Sequence, residues 1–159
     1  MIHIDVATPA DTGAFLASAV ALVATDAARY DPDATDVTWS ERTGQAYAAG
    51  ALSGDNVVLL AREDDRVVGH LVGRLSGPGS VHPVRVAELE SLYVEPGSRA
   101  AGTGSRLVEA FLAWAAEHGA DRATVTAYAA NERALAFYAR HGFAVRSVTL
   151  DRAVGPPRA

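Results

Sequence analysis

The feature that most limits what this chain can fold into is a strand, a glycine-rich turn, a helix and a second strand in immediate succession. Residues 85–94 form a β-rich run closed by Val94, and Gly102 and Gly104 follow. Leu107, Phe111, Trp114 and Ala115 then recur at helical spacing opposite Arg106, Glu109 and Glu117, and Gly119 is placed to end that helix. Residues 122–128, with β-branched Thr124, Val125 and Thr126, start a further strand. Two strands joined through a helix lie parallel in one sheet with a right-handed crossover, so an α/β fold follows.

The remaining elements fit around that unit. Ile2, Ile4 and Val6 alternate with His3 and Asp5 in a half-buried first strand. Asp11 can cap a helix in which Phe15, Leu16, Val20 and Val23 share a face through about Ala28, and a second helix runs from near Ser40 to about Leu52. Residues 56–62 and 66–75, separated by Asp64 and Asp65, read as a hairpin. Asn131 can cap a last helix that Gly142 ends, residues 143–150 read as a final strand, and residues 155–159 read as a flexible tail. The order is β α α β β β α β α β with no repeat or linker, so residues 1–159 read as a single domain with one core.

The turn after Val94 carries the chemical signal. Free backbone N–H groups and the positive end of the helix dipole converge there, which suits a phosphate. Glycine keeps a Cβ from holding such a ligand off the backbone, and Arg99 just before the turn can add a fixed charge. A glycine pair that merely starts a helix tightly, with no ligand, is an equally ordinary use. Two rival phosphate motifs fail: a P-loop needs Lys and Ser or Thr where Ser105 and Arg106 follow Gly104, and a dinucleotide fingerprint needs a small residue where Leu107 stands.

Composition removes other classes. With 14 Lys plus Arg against 19 Asp plus Glu, a net charge of −5 provides no field for a nucleic-acid backbone. The absence of cysteine excludes disulfides, thiolate nucleophiles and cysteine metal sites. The longest apolar run, residues 15–24, is about half of the roughly 20 residues a bilayer span requires, and no basic-then-apolar leader opens the chain, so no membrane partner and a cytoplasmic location are the expectations. Asp31, Asp33 and Asp36 do not make a calcium loop, because Asp36 stands where glycine is needed and Arg42 where glutamate is needed. His3, His70, His82, His118 and His141 form no metal-ligand cluster in sequence, and no metal is expected; His118 and His141 sit at helix ends, and His70 is best read as a satisfied sheet histidine.

Leu92-Tyr93-Val94, then Arg99-Ala100-Ala101-Gly102-Thr103-Gly104, then Asn131 and Phe137-Tyr138 ahead of Gly142-Phe143, resemble the GCN5-related N-acetyltransferases (GNAT). The resemblance spans nearly the whole chain in element order and is sharpest from Glu88 to Phe143. It implies a mixed central sheet of six to seven strands, splayed between strands 4 and 5 and flanked by about four helices. It also implies acetyl-CoA as co-substrate, with Leu92, Tyr93 and Val94 bonding the pantetheine arm and Ala100, Ala101, Gly102, Thr103, Gly104 and Ser105 wrapping the pyrophosphate beside Arg99. Asn131 would bond the cofactor arm while capping its helix, and the Val94 N–H would be the oxyanion donor. Many relatives place a basic residue or glycine where Ala100 and Ala101 stand, so this turn depends more on its backbone and Arg99.

Without cysteine or a Gly-x-Ser-x-Gly elbow there is no obvious acyl-enzyme nucleophile, and the amine must attack the thioester directly in a ternary complex. For the base, a period of two puts Glu88 and Glu90 on the face of Leu92 and Val94 unless a bulge intervenes. Glu88 is the first choice by its match to the base position of some relatives, against the alternative of a solvated sheet carboxylate. For the acid, Tyr138 lies two helical turns after Asn131, on the same face; the alternative is an aromatic packed beneath the sheet. By the same resemblance Tyr30, Asp31, Asp33 and Trp39 are acceptor contacts, against an ordinary capped turn. The expected function is acetyl transfer to a primary amine, with small-molecule and protein acceptors both open and a longer acyl group not excluded. The alternative is a catalytically weak acyl-CoA-binding regulatory module. Homodimers are common among relatives, and no segment here marks an interface by sequence.

Overall fold

A computed structural model describes residues 1–31, 33 and 38–156, with Ala27 described by its backbone alone. Among these residues five strands form the sheet: β1 (Ile2–Val6), β2 (Asn56–Glu63), β3 (Arg66–Ser76), β4 (Val86–Val94) and β5 (Arg122–Val125). They lie in the order β1-β2-β3-β4-β5, antiparallel through β4, and β5 is parallel to β4. The helices are α1 (Thr12–Leu22), continued by a π-helical stretch Val23–Ala27 into α2 (Ala28–Tyr30), then α3 (Gln45–Ala51), α4 (Thr103–Glu117) and α5 (Glu132–Arg140).

Helices cover both faces, which is why β2 and β3 are apolar almost continuously rather than alternately. Val57, Leu59 and Ala61 of β2 face α4, meeting Leu107, Val108 and Phe111 in one core cluster. Val58 and Leu60 face the other way, against Phe15 and Ala19 of α1 and Ala48 and Ala51 of α3. α4 lies low on β3 because Gly73 has no side chain; a Cβ there would sit 2.9 Å from the Phe111 ring. The continuous helical stretch Pro9–Tyr30 is long and apolar enough by composition to cross a bilayer; Phe15 and Ala19 pack one side of it against the sheet.

Gly119 and Gly142 adopt left-handed φ values of 71° and 85° just past α4 and α5, where they end those helices. At the N-terminus Asp11 occupies the cap position of α1 but turns its carboxylate back, accepting from the Thr8 N–H at 2.8 Å and from Arg62 Nη2 at 2.7 Å. The Thr8 N–H, with Arg62, holds the Asp11 carboxyl below its usual range.

Two expectations are corrected. The sheet has five strands, not six to seven: residues 143–150 join no ladder, and Val145, Val148 and Leu150 are 79%, 77% and 91% exposed. β5 stops at Val125 rather than reaching Tyr128, because its partner β4 is no longer alongside beyond Leu89. That early separation shapes the site.

Candidate active site

β4 remains paired with β3 as far as Val94 but with β5 only as far as Leu89, so the two parallel strands fork and residues 90–94 have an open side. At the fork β4 carries a bulge. Val72 lies opposite Ser91 and Gly73 opposite Leu89, which leaves Glu90 without a partner on β3. The bulge turns the side-chain alternation over: Ala87 and Leu89 face α4 before it, and Leu92 and Val94 face α4 after it. Glu88 and Glu90 therefore lie on the opposite face from Leu92 and Val94, correcting the simple period-two reading.

The bulge leaves the next peptide groups aimed at the gap. The Glu95 N–H donates to the Val68 carbonyl at 2.9 Å. Bonded pairs alternate in an antiparallel ladder, so Tyr93 is bonded to His70 on β3 while the peptide groups of Leu92 and Val94 face the open side. The Val94 carbonyl accepts there from Arg99 Nε at 2.8 Å.

At the mouth of the fork the chain makes a 3₁₀ turn, Pro96–Ala101, pinned by Thr103 Oγ1 donating to the Ser98 carbonyl at 2.8 Å. Gly102 then takes φ 74°, a left-handed conformation that costs a side-chain-bearing residue about 1 kcal/mol or more. A Cβ at Gly102 would meet nothing within 4 Å, so glycine is demanded by the backbone, and the space before it is open. The first N–H groups of α4, at residues 103–105, have no intrahelical acceptor and carry the positive end of its dipole. Ala100 and Ala101 are exposed beside them. This donor set fits a diphosphate. Arg99 acts mainly as a brace, with Nη2 3.7 Å from Asp26 and the guanidinium 6.0 Å from the Tyr93 ring centre.

α5 packs against this turn. A Cβ at Gly104 would lie 3.4 Å from the Phe137 ring, and Ser105 Oγ and His141 Nε2 share a hydrogen bond of 3.1 Å. Asn131 caps α5, its Oδ1 accepting from the Ala134 N–H at 3.1 Å, and its Nδ2 has no acceptor among the described residues. The Tyr138 ring sits between Phe137 (5.3 Å) and Phe143 (5.8 Å), and burial pushes its phenol up to about 12. Tyr138 is thus a proton donor at neutral pH and not a base.

The opposite face of β3 and β4 holds a second set of polar groups. Glu90 accepts from Arg74 Nε at 2.6 Å, whereas Glu88, opposite Arg74 in register, is exposed and makes no ion pair among the described residues. Tyr47 of α3 lies beside Ser91 next to the bulge, and burial raises its phenol. His70 is fully buried, sharing hydrogen bonds with Ser18 Oγ on α1 (Nδ1, 2.7 Å) and Ser91 Oγ (Nε2, 3.3 Å) and meeting the edge of Phe15. Burial lowers its pKa to about 4, so it is neutral.

Of the acceptor residues expected from sequence, Tyr30 stacks on Tyr128 at 6.1 Å, and Tyr128 Oη donates to Asp31 Oδ2 at 3.0 Å. These contacts tie the segment after α2 to the segment after β5. Asp31 also accepts from the Asp33 N–H at 2.9 Å, an ordinary capped turn. Trp39 packs edge-on against Tyr47 at 5.5 Å, its Nε1 buried with no hydrogen-bond partner among the described residues, as part of the α1–α3 core. Asp36 lies outside the described residues. Sequence reasoning missed Tyr47, Arg74, Tyr128 and the Ser18–His70–Ser91 bridge. Of these only Arg74 carried a legible signal, as the partner of Glu88 once the hairpin and its neighbour are aligned.

A sequence profile of the Acetyltransferase (GNAT) family matches residues 24–143. An uncharacterized N-acetyltransferase of Mycobacterium tuberculosis is 36% identical over 95 residues, as is one of Mycobacterium bovis; the match covers 60% of this chain and spans 57% of the length of those relatives. Among solved structures, the aminoglycoside acetyltransferase AAC(6')-Iy bound to a bisubstrate analogue superposes with a TM-score of 0.77 at 15% identity, over 96% of this chain and 98% of that one. A transcriptional regulator from Bacillus halodurans superposes with a TM-score of 0.74 at 23% identity, over 96% and 99%.

Proposed function

Because this chain belongs to the GNAT acetyltransferase family, we propose that it transfers an acetyl group from acetyl-CoA to a primary amine, which attacks the thioester directly in a ternary complex. The observation that carries this reading is the fork. β4 offers the Leu92 and Val94 peptide groups to a gap where β5 has left, and the Gly102 turn ends that gap in unpaired N–H groups.

A pantetheine arm in the gap takes β5's place as neighbour to Leu92 and Val94, while residues 100–105 hold the diphosphate. The Val94 N–H then donates to the carbonyl oxygen that gains charge, a preorganised donor of the kind whose loss costs about 10²–10³ in turnover. Asn131 Nδ2 bonds the arm while Oδ1 keeps the helix cap. The amine approaches from the other face, where Glu88, without an ion pair of its own, takes its proton directly or through water. Glu90, held by Arg74, shapes the field there. Tyr138 donates a hydrogen bond to the departing thiolate. A phenol near 12 is a weaker acid than a thiol of about 8.5, so a bond that steadies the thiolate fits better than full proton transfer.

The exposed carboxylate of Glu88 favours a cationic acceptor, and aminoglycosides, bound or acetylated by several structural neighbours, are the first small amines to test. Thiol release from acetyl-CoA across a panel of aminoglycosides, polyamines and peptide amines tests the reading. Turnover with at least one class, abolished by Glu88→Gln, supports it. Saturable acetyl-CoA binding with no turnover on any amine would replace it with a non-catalytic acyl-CoA-binding module.

A further inference from the structure

His70 takes part in none of the steps proposed above, yet it is fully buried beside the bulge that aims the site. β3 turns His70, Val72 and Arg74 to the α1 side of the sheet, and Val72 lies opposite Ser91. The bulge puts two consecutive β4 side chains, Glu90 and Ser91, on that same side. Each is taken by one of the residues flanking Val72: Glu90 by Arg74 Nε at 2.6 Å, and Ser91 Oγ by His70 Nε2 at 3.3 Å. The two grips differ. Arg74 and Glu90 are 37% and 33% exposed in their side chains, and water weakens such a pair. His70 lies out of water, and its Nδ1 is anchored on α1 by Ser18 Oγ at 2.7 Å. A neutral imidazole has one donor and one acceptor nitrogen, so the two serines take opposite roles and the ring cannot turn without breaking both bonds. An apolar side chain would fill the same volume without burying two nitrogens. What the imidazole adds is direction.

That direction bears on the aim of β4. Without the extra residue the ladder would slip by one, Leu92 rather than Tyr93 would face His70, and the peptide groups offered to the gap would change places. Leu92 and Val94 resist the slip by packing towards α4, and His70 resists it at the bulge itself, from the α1 side. We infer that His70 is a positioning residue of this site: through Ser91 it locks the β4 bulge, and the locked bulge keeps the Leu92 and Val94 peptide groups aimed into the gap. The lock serves acetyl transfer only if that gap holds the pantetheine arm, as proposed above.

Residue-resolved amide hydrogen exchange of the full chain without cofactor, together with titration calorimetry with acetyl-CoA, tests the lock in three variants. His70→Gln places an amide near the ring's Nε2 and can keep the bond to Ser91, whereas His70→Asn places one near Nδ1, towards Ser18, and loses Ser91. Ser91→Ala removes the same bond from the other end. The Tyr93 amide is expected to exchange about tenfold faster in His70→Asn and in Ser91→Ala, measured against the amides of Leu59 and Leu60 in β2, which report general stability. In His70→Gln it is expected to stay within about twofold of the wild type. Acetyl-CoA affinity is expected to fall in the same two variants and to hold in His70→Gln. Equal relative exchange in all four proteins, a loss in His70→Gln as large as in His70→Asn, or acetyl-CoA affinity indifferent to faster Tyr93 exchange overturns the inference. Exchange in the expected order with no acetyl-CoA bound even by the wild type would leave the bulge locked by His70 but overturn the proposed function, and with it any part of His70 in acetyl transfer.

Discussion

His70 sits fully buried between Ser18 and Ser91 with its pKa lowered to about 4 by burial, and that one residue sets a pH dependence for the whole fold. In the unfolded chain a histidine titrates near 6.5, so below that pH the unfolded state takes up a proton that the folded state refuses. The stabilisation is complete above about pH 6.5 and is lost as pH falls towards 4, by about 3 kcal/mol in all. Urea denaturation across that window should follow this slope in the wild type, and His70→Gln should flatten it. At the same scale, Glu88→Gln should lower kcat by about 10²–10⁴ with acetyl-CoA affinity intact, whereas Tyr138→Phe should cost about tenfold; steady-state and binding measurements on the same samples separate the two effects. The places of Glu88 on β4 and Tyr138 on α5 were legible from the strand run and the helical spacing. The faces of Glu88 and Glu90 were not, because a bulge adds a residue without any mark in composition: glutamate and serine at positions 90 and 91 look like any polar pair in a strand.

Among the elements, the strand-turn-helix unit was the most legible, since Gly102 needs its left-handed φ and α4 carries a clear apolar stripe. α5 was equally plain, from Asn131 at its cap to Gly142 past its end. The double role given to Asn131 can be split there. Asn131→Ala removes the acceptor for the Ala134 N–H and should lower stability by about 1 kcal/mol, together with acetyl-CoA affinity. Asn131→Asp keeps the acceptor but loses the amide donor, so thermal stability should hold while affinity falls; equal affinity in the aspartate variant would leave Asn131 a cap alone. The acceptor side was less legible, because its groups come from distant elements. Tyr128 meets Asp31 across 97 positions of sequence, and Tyr47 reaches Ser91 from a helix whose own periodicity says only that it packs.

At the scale of the molecule, the sheet falls short of the expected six to seven strands because residues 144–150 have strand-forming side chains but pair with no strand among the described residues. Local sequence reports propensity, and pairing is decided by what lies alongside. The fork between β4 and β5 is likewise a property of the assembled sheet, and the proposed activity stands on it. Gly104 offers the most direct test, because there the demands of the fold and of the ligand diverge. A methyl group at this position makes only ordinary contact with Phe137, at 3.4 Å, and alanine is the better helix former, so Gly104→Ala should melt at the same temperature as the wild type or higher. The same methyl group stands at the turn proposed to hold the diphosphate. Titration calorimetry with acetyl-CoA should therefore give saturable one-to-one binding to the wild type and binding about tenfold or more weaker to the stable alanine variant, a loss of roughly 1.4 kcal/mol. No saturable heat with the wild type, or equal affinity in the two proteins, would contradict the account.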